Sequence, residues 1–172
     1  MMSGLASVFF KAVWCGVGAT GFGILFNVPR RALVALACGG CLAGGVKFGV
    51  LFLFDGGQMV LAAFLASVVV GAASLPAAHW RHVPPMVLAI PSVIPLVPGL
   101  YSYRTILGLM KLTGPVGADY PDLLASTAQS AARTVFLVMA IAIGVSIPLQ
   151  LLRKDSVKHL RLGRTVRDAA SD

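Results

Sequence analysis

Lys47, Arg104 and Arg133 lie within long apolar runs of this chain, and a cluster of prolines stands beside one of them. A charged side chain at the centre of a bilayer costs at least about 2.5 to 3.5 kcal/mol on insertion scales, so such residues are candidates for function. The prolines Pro91, Pro95 and Pro98 fall within Ile90 to Arg104, IPSVIPLVPGLYSYR. Proline has no backbone N–H and collides with the carbonyl one turn earlier, so three in so short a stretch should interrupt a helix. The carbonyls of Val87, Pro91 and Ile94 are then expected to lose their helical bonds, and Pro98 with Gly99 can open a new helix running to Leu112. A helix start carries about half a positive charge and unpaired N–H groups, which suits a carboxylate near Gly99 to Ser102. Ser92, Tyr101 and Ser102 add hydroxyls, and Arg104 follows one turn or two beyond the break. The competing reading is a kinked helix whose loose groups are satisfied by its neighbours.

The elements that hold these residues follow from composition. The chain has 172 residues, of which 58% are hydrophobic and 12% charged. Its apolar runs reach the length of about twenty residues that crosses a hydrocarbon layer roughly 30 Å thick. We therefore expect an all-α integral membrane protein, a bundle of about five transmembrane helices over residues 1–152 and a basic tail over residues 153–172. The spans are expected at Leu5 to Phe26, Ala32 to Phe54, Gln58 to Ala78, Pro85 to Leu112 and Ser126 to Leu152, the fourth broken by the prolines. The N-terminal run is read as a retained span, since Lys11 lies within the apolar stretch and no cleavage site follows it.

Charge placement gives the orientation. Short loops that stay in the cytoplasm keep Lys and Arg. Arg30 and Arg31 mark the first loop and Arg81 the third, while Asp55 occupies the second and Asp119 with Asp122 the fourth. The tail carries Arg153, Lys154, Lys158, Arg161, Arg164 and Arg167. An N-terminus outside and a C-terminus in the cytoplasm satisfy every marker with five spans. The net charge of +8 is thus explained by topology and by contact with anionic lipid, and nucleic acid is not an expected partner.

Glycines at 16, 18, 21 and 23, then at 39, 40, 44, 45 and 49, predict close packing by the first two spans. The GVGATG of Gly16 to Gly21 matches a dinucleotide-binding pattern only in letters, because no strand precedes it. Cys38 and Cys41 sit mid-span among glycines and read as small packing residues. No metal, cofactor or catalytic residue is indicated, and without a nucleophile and base pairing an enzyme is not expected.

The segment Gly21 to Leu33, GFGILFNVPRRAL, together with IPSVIPLVPGLYSYR, resembles the threonine/serine exporter family, and more narrowly its small split, YjjB-like subunit. The resemblance runs over about Thr20 to Leu112, with weaker support from Ser146 to Pro148. It implies a bacterial inner-membrane exporter of small carboxylates, working with a larger YjjP-like subunit that carries the missing first half. The substrates implied are succinate for the split pair and threonine or serine for fused members. It implies no site residues, so Ser92, Gly99, Tyr101, Ser102, Arg104, Lys47 and Arg133 rest on the physical reading alone. Cations without acids in the spans place a dicarboxylate first and an amino acid second. A non-transporting scaffold subunit is the remaining alternative.

Overall fold

In a computed structural model the described residues are 2–54, 58–114 and 120–151, and all the regular structure among them is helical. The expected markers Asp55 and Asp119 and the basic tail lie outside the described residues. Six helices follow in order: α1 (Met2–Leu25), α2 (Arg30–Leu53), α3 (Met59–Arg81), α4 (Pro85–Val93), α5 (Gly99–Leu112) and α6 (Tyr120–Leu151). A 3-10 turn at Ile94–Leu96 extends α4. Four stretches are long and apolar enough to cross a membrane, Gly4–Leu25, Arg30–Leu53, Met59–Arg81 and Tyr120–Leu151. Pro85–Leu96 and Gly99–Leu112 pass the same test as a pair bent by 62°.

Local chemistry explains where the helices stop. Asn27 takes a left-handed φ of 55°, and the Val28 N–H reaches back to the Gly23 carbonyl at 2.9 Å, a Schellman closure of α1. Pro29 then precedes the first residue of α2, so NVP is a helix stop and a helix start in succession. The end of α3 repeats the device without glycine. His82 has φ 53°, the Val83 N–H bonds the Ala78 carbonyl at 3.1 Å, and Pro84 and Pro85 open α4.

Glycine sets the close approaches. A Cβ on Gly40 would sit 2.7 Å from the Cys15 carbonyl oxygen, so α1 and α2 touch almost backbone to backbone, as the glycine stripes predict. In the same way Gly144 of α6 faces the Phe64 carbonyl of α3, 2.8 Å from the position a Cβ would take. Farther along, Gly71 meets Val145 and Pro148. Residue numbers thus rise together along α3 and α6, which run the same way. The chain must return once between them, and the bent α4 and α5 pair makes that return.

The two halves of this pair have different surroundings. Before the break, α4 is enclosed by α1, α2 and α3, with Leu88, Ala89, Pro91, Ser92, Val93 and Leu96 buried. Ala89, Val93 and Leu96 join Val70, Leu137, Ile141 and Val145 in the main core, and Leu88 joins Val28, Ala32, Leu36 and Ala78 in a second one. After the break, α5 packs chiefly on α6, and only Gly108 of its residues is buried. The break therefore passes the chain from the middle of the bundle to its edge.

Candidate functional site

The break is shaped by its prolines one at a time. Pro91 is accommodated inside α4, and Pro95 lies in the 3-10 turn. The Ile94 carbonyl, expected to be free of helical bonding, accepts the Val97 N–H at 3.0 Å. Pro98 has φ −81° and ψ 69°, and the Gly99 N–H bonds the Val97 carbonyl at 2.9 Å, which makes an inverse γ-turn centred on Pro98. The Tyr101 and Ser102 N–H groups and the Ser102 hydroxyl all donate to the Pro98 carbonyl, each at 3.1 Å. Much of the donor capacity expected at the start of α5 is thus used within the chain. Gly99 itself is exposed, with open space where a Cβ would stand.

One carbonyl is left for a side chain. Lys47 Nζ donates to the Leu96 carbonyl at 2.8 Å, across from α2 to the last residue of the turn. Lys47 is seventeen residues after Arg30, about 25 Å along α2 at 1.5 Å per residue. The break therefore lies nearer the end of α2 at Leu53 than the basic end at Arg30.

Arg104 and Arg133, by contrast, meet in an open groove. Arg133 of α6 stands over the Tyr101 ring at 5.6 Å from its centroid, a cation–π contact. The Tyr101 hydroxyl reaches Met59 Sδ at 3.6 Å, which ties the start of α5 to the start of α3. On one side of the Tyr101 and Arg133 pair is a cavity of about 880 Å³ bounded by Gln58, Met59, Leu61 and Phe64. On the other side a groove of about 320 Å³ is lined by Arg104, Lys111, Ser126, Gln129 and Ser130. Tyr101 and Arg133 border both spaces. No carboxylate lines either one among the described residues, so three cations set the field of the groove.

The hydroxyls of α6 have a defined polarity. Ser126 Oγ donates to the Leu123 carbonyl at 3.0 Å, and Ser130 Oγ to the Ser126 carbonyl at 2.9 Å. A hydroxyl whose hydrogen is committed to its own helix offers lone pairs to anything else nearby. The groove can therefore take a carboxylate on its guanidinium groups and hold a donor on its serines.

Among the residues singled out in the sequence, the structure brings Tyr101, Arg104 and Arg133 to one site. Ser102 lies beside them and spends its hydroxyl hydrogen on the Pro98 carbonyl of its own helix. Lys47 is directed to the break, and Ser92 is buried between α2, α3 and α4, facing Gly39 in a separate cavity. The sequence reading missed Lys111, Ser126 and Ser130. Their spacing was a usable signal, since Arg104 with Lys111 and Ser126 with Ser130 and Arg133 recur at helical intervals of seven, four and three.

Comparison with known proteins adds a family. The family model described as "Threonine/Serine exporter, ThrE" matches residues 11–150, which includes every helix that borders the groove. No solved structure matches the chain.

Proposed function

Because this chain belongs to the threonine/serine exporter family, we propose that it is the membrane subunit of a two-component exporter of small carboxylates and that the Arg133 groove is its share of the substrate path. The observation that carries this reading is the convergence of Arg104, Lys111 and Arg133 on one groove with no carboxylate in its lining among the described residues. At an effective dielectric of about 20, one unit charge 4 Å from another contributes about 4 kcal/mol, so a doubly charged anion gains more from this field than a neutral zwitterion does. A dicarboxylate such as succinate is therefore the first substrate class. The groove is open on one side, and a larger subunit is the natural supplier of its other wall.

A specific observation favours a second substrate class. The oxygens of Ser126 and Ser130 are oriented as acceptors, which an ammonium group would use while its carboxylate met Arg133. Threonine or serine export, the activity for which the family is named, fits that arrangement.

Efflux of succinate, threonine and serine from cells lacking this chain, complemented by wild type or by Arg133→Gln, tests both readings. Succinate efflux restored by wild type and not by the variant supports the first. Restoration limited to threonine and serine replaces it with the second. If the deletion leaves all three fluxes unchanged, the exporter reading fails for these substrates. Full restoration by Arg133→Gln and Arg104→Gln, in a complex that still assembles, would assign the chain a scaffold role.

A further inference from the structure

A second cavity, of about 550 Å³, lies between α2, α3 and α4 at the basic end of the bundle and takes no part in the groove described above. Its walls are mostly apolar, with Val34 and Cys38 from α2, Val70 and Ala77 from α3 and Leu88 from α4. At its mouth is Arg81, the last residue of α3. The Arg81 guanidinium is stacked on Trp80, 4.9 Å from the ring centroid, and its Nε is buried without a hydrogen-bond partner among the described residues. An unpaired guanidinium N–H shut away from water is costly, so this atom is poised for an acceptor that the described residues do not supply.

We propose that this cavity is a binding site for one anionic phospholipid, its acyl chain in the apolar trough and its phosphate on Arg81. Length supports the assignment. From Arg81 to Val70 the trough follows α3 for eleven residues, about 16 Å at 1.5 Å per residue. That is about half of a hydrocarbon core roughly 30 Å thick, the depth of a single leaflet. Polarity supports it as well, because among the described residues the one charged group is at the mouth, beside a tryptophan of the kind that settles at membrane interfaces, and the deeper walls are apolar apart from Ser74 and Ser92. A small soluble anion would use Arg81 and leave the trough empty. A zwitterionic lipid would fill the trough and gain less from Arg81. Lipid here would brace α4 against α2 and α3 from the side of the basic end.

The test is native mass spectrometry of the purified full-length chain titrated with phosphatidylglycerol, with phosphatidylcholine of the same acyl chains, and with inorganic phosphate. Wild type should hold one phosphatidylglycerol at a concentration at least tenfold below that needed for phosphatidylcholine. Arg81→Gln should reduce this preference to within twofold, and Arg81→Lys should retain part of it. Cys38→Trp, which fills the trough, should weaken both lipids at least tenfold, and Val34→Trp serves the same purpose if that variant does not fold. Equal affinity of wild type for the two lipids overturns the proposal, as does a preference that survives in Arg81→Gln. Displacement of phosphatidylglycerol by millimolar inorganic phosphate would also overturn it, assigning Arg81 to a free anion.

Discussion

Lys47 and Arg133 carry the same charge and both lie inside apolar runs, yet their surroundings give them different work. The Lys47 ammonium is held by the Leu96 carbonyl at 2.8 Å and is half-buried, so it completes the backbone bonding of the break. Hydrogen bonds to charged groups contribute about 1.5 to 3 kcal/mol, and removing one partner leaves the other unsatisfied. Lys47→Met should therefore lower the thermal midpoint of the purified protein by several degrees, measured by differential scanning fluorimetry in detergent, and reduce efflux with it. Arg133 is exposed and, among the described residues, reaches no partner beyond the Tyr101 ring, so Arg133→Gln should leave the midpoint within about a degree of wild type. Its efflux should fall at least tenfold. Arg133→Lys, which keeps the charge and loses the planar fork, should fall between the two. A parallel loss of stability and efflux in Arg133→Gln would make the guanidinium structural. The sequence marked both cations equally, because insertion cost depends on depth and cannot tell a lysine that caps a carbonyl from an arginine that faces open space.

Among the helices, the division at Pro98 separates a part that folds the molecule from a part that builds the groove. Gly40 and Gly108 occupy comparable places in their pairs, each under a close neighbour: Cys15 and Gly16 for Gly40, Thr127 for Gly108. Overpacking a tight contact costs about 1 to 3 kcal/mol or more. Gly40→Leu forces α1 from α2 beside the main core and should abolish accumulation of folded protein in the membrane. Gly108→Leu displaces only α5 from the first half of α6, so the protein should accumulate and unfold near the wild-type midpoint while efflux is lost. Equal accumulation defects in the two variants would show that α5 belongs to the folding core. The helical class and the breaks at NVP and at the double proline of 84 and 85 were legible in the sequence, since each signal acts within a few residues, whereas α6 begins at Tyr120, six residues before the expected Ser126. The direction taken after the break was not legible. Proline removes a donor and fixes one dihedral, and the 62° turn away from the bundle is decided by what α5 finds to pack on. For the same reason Lys111, Ser126 and Ser130 could be seen as helical stripes but not assigned to one groove until α5 and α6 were known to pair.

At the scale of the molecule, the shared direction of α3 and α6 decides how the chain is threaded. Pro85–Leu96 is about 18 Å long at 1.5 Å per residue, too short to cross a core of roughly 30 Å alone. It must be completed by the chain beyond Pro98, or α6 would run opposite to α3. Arg133 is level with Gln58 and Met59, so the stretch from Tyr120 to Arg133, about 20 Å, continues past the start of α3, together with α5. The more polar half of α6, with Asp122, Gln129 and its serines, is this projecting part, and the half that remains, Thr134 to Leu151, is apolar and of membrane length. We therefore expect the groove at the mouth of the bundle, on the face opposite Arg30, Arg31 and Arg81, with those arginines in the cytoplasm. Single cysteines in a background with Cys15, Cys38 and Cys41 replaced by alanine test this in intact cells with a membrane-impermeant maleimide. Gln129→Cys should react from outside, and His82→Cys only after the membrane is permeabilised. Succinate at millimolar concentration should slow labelling at Gln129→Cys and leave His82→Cys unaffected, because only the first borders the groove of Arg104, Lys111 and Arg133. Labelling of both positions from the same side would break the single return between α3 and α6, and with it the placement of the groove at the outer mouth.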